Sequence, residues 1–364
     1  MIEMAQIKLT DSEVDAAVRV LRSGSLRQGR ECDGFEAEFA AKVGAKHAVT
    51  CANGTAALHL AYMAFLEQGD EVLVPSFTFI ATGSMVTLCG GKPILCDVDP
   101  ATFLLDLKDA ERKITRKTRA IAPVHLFGNP CDMQAVAEFS RKHNLTIVWD
   151  AAQAHGARYH DGDIGGFGDF VCYSFYPSKN MFVGEGGMIC TNNDQFDHLL
   201  RYLRTHGQTG KYIHTMLGLN YRMTDVEAAI GRQQLQRLDE MLELRSRNAR
   251  LLTEGLSDLE GIRCQRTTPS GQHAWHQFCV VIDPVIFGCD RDTLAIRLKE
   301  KGISTGVHYP RGLHQQPVFK ELYGEYRLPS TEHLAEHILA IPVHHGLSEA
   351  DVLYIIDSIR TRHE

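Results

Sequence analysis

Ile147-Val148-Trp149-Asp150-Ala151-Ala152-Gln153-Ala154-His155-Gly156 is an apolar run that stops on an acid and gives way to small residues. Its first three residues show no polar alternation, the pattern of a strand buried on both faces. Such strands belong to parallel sheets covered by helices, and there ligands gather at the carboxyl ends of the strands. Asp150 stands at that end. A carboxylate so placed can keep a pyridine nitrogen protonated and turn the ring into an electron sink. The small residues after it let a flat group approach. The plainer reading is an Asp that caps the next turn, common at any strand end.

Outward from this segment the chain alternates. Helical patterns cover 12–21, 34–43, 56–65, 81–88 and 133–143, and strand patterns cover 47–50, 71–74, 92–96, 120–124 and 145–150. Strands over 170–175 and 187–191 flank a Gly-rich turn and add a hairpin to the sheet. A long helix over 224–252 opens on Thr224 with Glu227 three residues on, a capping-box spacing. Past it come a strand over 277–283, a helix over 291–301, a strand over 303–307 and a closing helix over 348–360. The expected fold is α/β, a mostly parallel sheet with helices on both faces and a smaller C-terminal α+β domain. A large domain over 1–244 and a small one over 245–364 are expected.

Composition narrows the function. A chain of 364 residues buries a sizeable core without staples, and 44% apolar against 23% charged residues excludes disorder. Net charge is −7 with no basic block, so nucleic acid is not an expected partner. The ten cysteines form no Cys-x-x-Cys pair and mostly sit in apolar runs, where thiols fill core space. Met1-Ile2-Glu3-Met4 lacks the basic flank and apolar stretch of a signal peptide, and no run reaches membrane-spanning length. A cytoplasmic, reduced location without membrane contact is expected.

Two further segments carry chemistry. Ser174-Phe175-Tyr176-Pro177-Ser178-Lys179-Asn180 precedes Gly184-Glu185-Gly186-Gly187. An aromatic, proline-containing setting can desolvate an amine, lower its pKa and make it a Schiff-base nucleophile. Taken alone, a solvated loop lysine is the better reading. Cys51-Ala52-Asn53-Gly54-Thr55-Ala56-Ala57-Leu58 is a strand–glycine–helix transition, whose N–H groups and dipole suit a phosphate. Many helices begin this way. Phosphate cradle, ring-nitrogen acid and buried lysine together are the three anchors pyridoxal 5′-phosphate needs.

With these residues in view, the chain resembles the DegT-type nucleotide-sugar aminotransferases, a branch of the aspartate-aminotransferase fold. The resemblance runs from Gly24-Ser25-Leu26-Arg27-Gln28-Gly29 through Pro75-Ser76-Phe77-Thr78-Phe79-Ile80-Ala81-Thr82 and Leu219-Asn220-Tyr221-Arg222-Met223. It continues in Val307-His308-Tyr309-Pro310 and Leu313-His314-Gln315-Gln316-Pro317.

The resemblance implies that Lys179 carries pyridoxal 5′-phosphate, with pyridoxamine 5′-phosphate as its alternate form, and that Asp150 pairs with the ring nitrogen. Gln153 would lie near the ring hydroxyl and Phe79 on the ring face. Gly54, Thr55, Ala56 and Ser174 would hold the phosphate, completed by Asn220 from the other subunit of a homodimer with shared sites. Arg222 would clamp the carboxylate of L-glutamate. Tyr221, His308 and Tyr309 would meet a nucleotide-linked keto sugar, and Arg27 its diphosphate. A cyclitol ketone such as an inosose is the alternative acceptor.

Two departures from the family pattern stand out. Trp149 replaces the usual Glu before the functional Asp; as its strand neighbour it should face the other way. Arg311-Gly312 stands where relatives more often carry Ile-Pro, a change that bears on sugar specificity.

Two rival readings come from other classes. His333-Leu334-Ala335-Glu336-His337 matches a zinc-hydrolase spacing. With eighteen histidines the match arises easily by chance, and a solvated helix face is favoured, so no metal is expected. A non-catalytic, cofactor-sensing regulator on the same fold would call for a DNA-binding appendage, which the chain lacks.

Overall fold

The computed structural model describes residues 1–361. Seven strands form its central sheet: β1 (His47–Cys51), β2 (Glu71–Pro75), β3 (Lys92–Cys96), β4 (Thr118–Ile121), β5 (Thr146–Asp150), β6 (Phe170–Ser174) and β7 (Gly187–Thr191). Their order is β1-β7-β6-β5-β4-β2-β3. Pairing is parallel from β6 through β3, and only β7 runs against its neighbours β6 and β1. The hairpin expected around the Gly-rich turn is this β6–β7 pair.

Each face of the sheet buries its own apolar cluster. On one, Phe35 and Phe39 of the helix Arg30–Val43 pack with Trp149 and Tyr173. On the other, Ala57, Leu60 and Ala61 of the helix Gly54–Met63 pack with Val148 and Cys172. Fully burying such large side chains contributes about 1.5–3 kcal/mol each. Trp149 stacks on His125, ring centroids 4.9 Å apart, away from the face its neighbour Asp150 occupies. Strand alternation dictates that split.

The helix Asp225–Leu256 joins the parts, and the position expected to divide the domains, 245, lies inside it. Ala228, Ile230 and Leu238 belong to the first cluster, whereas Ala249, Leu252 and Leu256 belong to a third. That third cluster covers the antiparallel strands Ile262–Cys264, Phe278–Ile282 and Ile338–Ile341 beneath the helices Arg291–Glu300 and Glu349–Arg360. The capping box is present: Thr224 receives the Glu227 N–H, and the Glu227 carboxylate accepts from Thr224 N.

Three elements differ from expectation. The strand expected over 120–124 stops at Ile121, because Pro123 has no N–H to continue the ladder. Val124 still bridges Asp150. Residues 303–307 make only isolated bridges, Ile303 to Ile2 and Gly306 to Ala340, since the partner changes before a ladder can form. Ile338–Ile341, a run that follows a helix directly, is a buried strand at the edge of the three-stranded sheet, paired with Phe278–Ile282. Among the described residues, no helix is long and apolar enough to cross a membrane.

Candidate functional site

The site gathers where β1, β5 and β6 end. Asn53 caps the helix Gly54–Met63: its Oδ1 accepts from Ala56 N at 2.8 Å and its carbonyl from Ala57 N at 3.0 Å. The first four N–H groups of a helix have no partner within it. Those of Gly54 and Thr55 are therefore left to an anion, at the positive end of the dipole. Ser174, last residue of β6, closes the cradle. A Cβ on Gly54 would lie 2.6 Å from Ser174 Cβ, so only glycine fits there. Gly54, Thr55, Ala56 and Ser174, grouped only by the family resemblance, thus come together.

Asp150 ends β5 and is 5% exposed. Its Oδ2 accepts from Thr82 Oγ1 at 2.7 Å and its Oδ1 from Ala152 N at 3.1 Å. Thr78 Oγ1 lies 3.1 Å from Thr82 Oγ1; because the Thr82 proton serves Asp150, Thr78 is the donor of that pair. Burial raises the Asp150 pKa, against the pull of these donors and of the Lys179 charge. Sequence reasoning gave Thr82 no role. The one available signal was a second hydroxyl four residues after Thr78, one helical turn on.

Lys179 sits in the loop that links β6 to β7. Its N–H bonds Tyr176 O at 2.9 Å, and Val183 N returns to Phe175 O at 2.9 Å. Asn180, buried, anchors the loop through Nδ2 to Ala274 O at 2.7 Å. Gly184, at φ +104°, makes the turn that a side chain would strain. Burial pushes the Lys179 amine down to about 8, and the nearby Asp150 carboxylate opposes that shift. The Asp150 charge raises the Lys179 amine and the Lys179 charge lowers the Asp150 carboxyl, each against its own burial. Burial and the Lys179 charge likewise hold His155, His276 and His308 below the usual imidazole range.

Gln153 is fixed at both ends of its amide. Its Oε1 accepts from Phe127 N at 2.7 Å and its Nε2 donates to Tyr309 Oη at 2.9 Å. Tyr309 packs between Phe77 and Phe79, centroids 6.2 and 6.3 Å away. Phe79 itself is 54% exposed, an aromatic face left open beside this cluster.

The segment 219–222 runs alongside β1. Tyr221 N donates to Arg204 O at 3.0 Å and Ala52 N to Tyr221 O at 2.8 Å. Tyr221 Oη lies 3.1 Å from His59 Nδ1, so its hydroxyl already has a partner. Asn220 is exposed. Arg222 is half-buried, and no ion pair among the described residues includes it. Arg27 is exposed on the loop before Arg30–Val43, and no hydrogen bond or ion pair among the described residues ties it to the other candidates.

In the zinc-like motif, His333 and His337 stack at 4.3 Å, and His337 Nδ1 is held by His333 O at 2.8 Å. No group of three or more His, Cys, Asp or Glu side chains among the described residues is arranged to hold a metal ion. The cradle, the buried carboxylate, the depressed amine and the open aromatic face fit pyridoxal 5′-phosphate: each meets a different part of that molecule.

Comparison with known proteins agrees with this chemistry. A family model described as the DegT/DnrJ/EryC1/StrS aminotransferase family matches residues 8–360. The chain is 40% identical to the dTDP-3-amino-3,4,6-trideoxy-alpha-D-glucose transaminase of Streptomyces venezuelae, over 96% of this chain and 92% of that protein. It is also 40% identical to a pleiotropic regulatory protein of Geobacillus stearothermophilus, over 93% of this chain and 91% of the relative. The crystal structure of S. venezuelae DesV superimposes with a TM-score of 0.91 at 38% identity, covering 96% of this chain and 93% of that one.

Proposed function

This chain belongs to the DegT/DnrJ/EryC1/StrS aminotransferase family, and from that premise we propose that it moves the amino group of L-glutamate onto a keto group of a nucleotide-activated sugar. It is a transaminase, and its cofactor is pyridoxal 5′-phosphate. The observation that carries the reading is the placement of buried Asp150 at the end of β5 and of Lys179 in the loop that follows the adjacent β6, beside the Gly54 cradle. A relative named for a dTDP-sugar supports the acceptor class.

When bound, pyridoxal 5′-phosphate supplies a reactive aldehyde carbon and a ring that accepts the electron pair left when the donor's α-proton departs. Lys179 Nζ would hold the cofactor, and the same amine is the group that would move the donor's α-proton. An amine near pKa 8 exchanges a proton readily at neutral pH, and positioned acid–base work of this kind is worth roughly 10²–10⁴-fold. Asp150 keeps a proton on the ring nitrogen. Its burial makes a cationic partner the condition under which it stays ionised. Gly54, Thr55, Ala56 and Ser174 would hold the phosphate, Phe79 would cover a ring face, and Gln153 would orient the ring hydroxyl. Arg222 clamps the donor carboxylate as a planar fork suits. Tyr221, His308 and Tyr309 face the sugar.

The enzyme works in the cytoplasm as a homodimer, with Asn220 completing the phosphate site of the neighbouring protomer. Tyr212, Ile213 and Leu217, in and just after the hairpin that precedes Asn220, are 83%, 60% and 92% exposed, an apolar surface suited to a second copy. In mixed dimers Asn220→Ala should weaken cofactor binding only in the site facing the altered protomer. Loss confined to the altered protomer's own site contradicts the shared arrangement.

The function itself is tested by loading the protein with pyridoxamine phosphate and screening keto sugars for return of the visible band. A nucleotide-linked keto sugar should restore it. Failure of every such sugar alongside success with a cyclitol ketone would reverse the acceptor assignment.

A further inference from the structure

The two bonds that hold the Gln153 amide also fix which of its ends is which. A backbone N–H can only donate, so the atom 2.7 Å from Phe127 N is the carbonyl oxygen Oε1. The other end is therefore the amino group Nε2, and Tyr309 Oη, 2.9 Å away, accepts from it. An amide nitrogen carries two hydrogens. The second has no acceptor among the described residues. We propose that Tyr309 is a positioning residue, which clamps Gln153 against the Phe127 N–H so that this second hydrogen is presented to the cofactor's ring hydroxyl; this rests on Gln153 as the ring-hydroxyl partner, as proposed above.

The fixed side of the clamp is a strained turn. Phe127 has φ +62°, in the left-handed region that a bulky residue seldom adopts. Its ring is fully buried, with the rings of Phe77 and Phe103 at 6.5 and 6.4 Å. The C-terminal part of the chain pins the same turn: Ala274 N donates to Gly128 O at 2.8 Å and Gln277 N to Phe127 O at 3.2 Å. Ala274 O in turn receives Asn180 Nδ2, beside Lys179. Strain of this kind persists where the surroundings over-determine it, and it gathers at functional sites. Here it aims one N–H at Gln153.

The other side is the hydroxyl of Tyr309. Its segment is tied to the end of β2, since Leu313 N bonds Ser76 O at 2.7 Å and Ser76 Oγ lies 2.7 Å from His314 Nδ1. Burial raises the Tyr309 pKa and the Asp150 charge adds to the rise, while the bond from Gln153 opposes it. The hydroxyl thus keeps its own proton and meets Gln153 as an acceptor. It also feels the carboxylate assigned to the ring nitrogen, so Tyr309 does more than border the sugar.

A donor on the ring oxygen favours its anionic form. With the cofactor on Lys179, one proton is shared between that oxygen and the lysine nitrogen. Weakening the donor makes this proton harder to remove, so the pKa of the visible band rises. A merely structural role for Tyr309 leaves that pKa unmoved.

The test is pH titration of the visible band in the holoenzyme, for the wild type, Gln153→Ala, Gln153→Glu, Tyr309→Phe and the double variant Gln153→Ala with Tyr309→Phe. Gln153→Ala should raise the band's pKa by about one unit, tenfold in proton affinity, and Tyr309→Phe by about half a unit. Gln153→Glu keeps the bond to Phe127 N but has no donor left, and should rise at least as far as Gln153→Ala. The double variant should match Gln153→Ala alone, because Tyr309 acts through Gln153. No shift in Gln153→Ala removes the ring-hydroxyl reading and the clamp with it. A shift there with none in Tyr309→Phe, or additive shifts in the double variant, overturns the clamp alone. A raised acceptor KM in Tyr309→Phe with an unmoved band likewise leaves Tyr309 as a wall of the sugar pocket and nothing more.

Discussion

Thr82 Oγ1 donates to Asp150 Oδ2 at 2.7 Å, with both side chains buried. A carboxylate out of water needs donors to stay charged, and each one missing costs about 1–3 kcal/mol. Thr82→Val should therefore lower kcat about tenfold with little change in KM for glutamate, and Thr82→Ser should restore it. Because the lost donor favoured the ionised form, the Asp150 pKa rises and the acid limb of the kcat–pH profile moves to higher pH. Unchanged kcat and limb in Thr82→Val would remove the positioning role.

Lys179 sets a second pH dependence. The neutral amine is the reactive form, and burial brings its pKa to about 8. Covalent capture of pyridoxal phosphate by the apoenzyme should accelerate with pH and level off above about 8. The Asp150 charge favours the ammonium, so Asp150→Asn should shift this limb downward. Stopped-flow absorbance reads both; an upward shift contradicts the electrostatic link.

Gly54 has no room for a side chain beside Ser174. Gly54→Ala should open the cradle, weakening cofactor binding by at least about tenfold, and overpacking should cost the apoenzyme about 1–3 kcal/mol. Cofactor titration and urea unfolding measure the two effects. Wild-type affinity in the variant would mean the phosphate binds elsewhere.

Glu36 ties the Asn220 segment to the core. Its Oε1 accepts from Arg204 at 2.7 Å, Thr50 N at 2.8 Å and Thr50 Oγ1 at 2.7 Å, and its Oε2 from Arg201 at 2.6 Å. Burial alone would raise its pKa, but Arg204 and Arg201 overcome that and hold it below the usual carboxylate range. Its stabilisation is thus fully present above the unfolded value of about 4.3 and is lost as pH falls through the depressed folded value. Glu36→Gln should cost about 3–5 kcal/mol at neutral pH and flatten the acid limb of stability. Since Arg204 O holds Tyr221 N, cofactor affinity should fall as well. Denaturant melts across pH decide the matter; an unchanged acid limb rules the linkage out.

Much of the site was legible because its parts are local patterns. The apolar run ending in Asp150, the cap and glycine at Asn53-Gly54, and the loop from Ser174 to Lys179 each announce a backbone geometry within ten residues. Trp149 could be assigned to the opposite face from Asp150 by strand alternation alone. Residues 303–307 misled for the converse reason: the segment looks extended, but its ladder depends on Ile2 and Ala340, far away in the chain.

By itself, then, the order of residues determined the layered α/β architecture and pointed to the trio of acid, amine and anion cradle, because periodicity and capping act over a few residues. Only tertiary structure decided that Thr82 serves Asp150 across 68 positions and that Arg204 neutralises Glu36 across 168. Those are outcomes of which distant groups share buried space. No local pattern encodes them, because a side chain's charge and hydrogen bonds are set by whatever the fold packs against it.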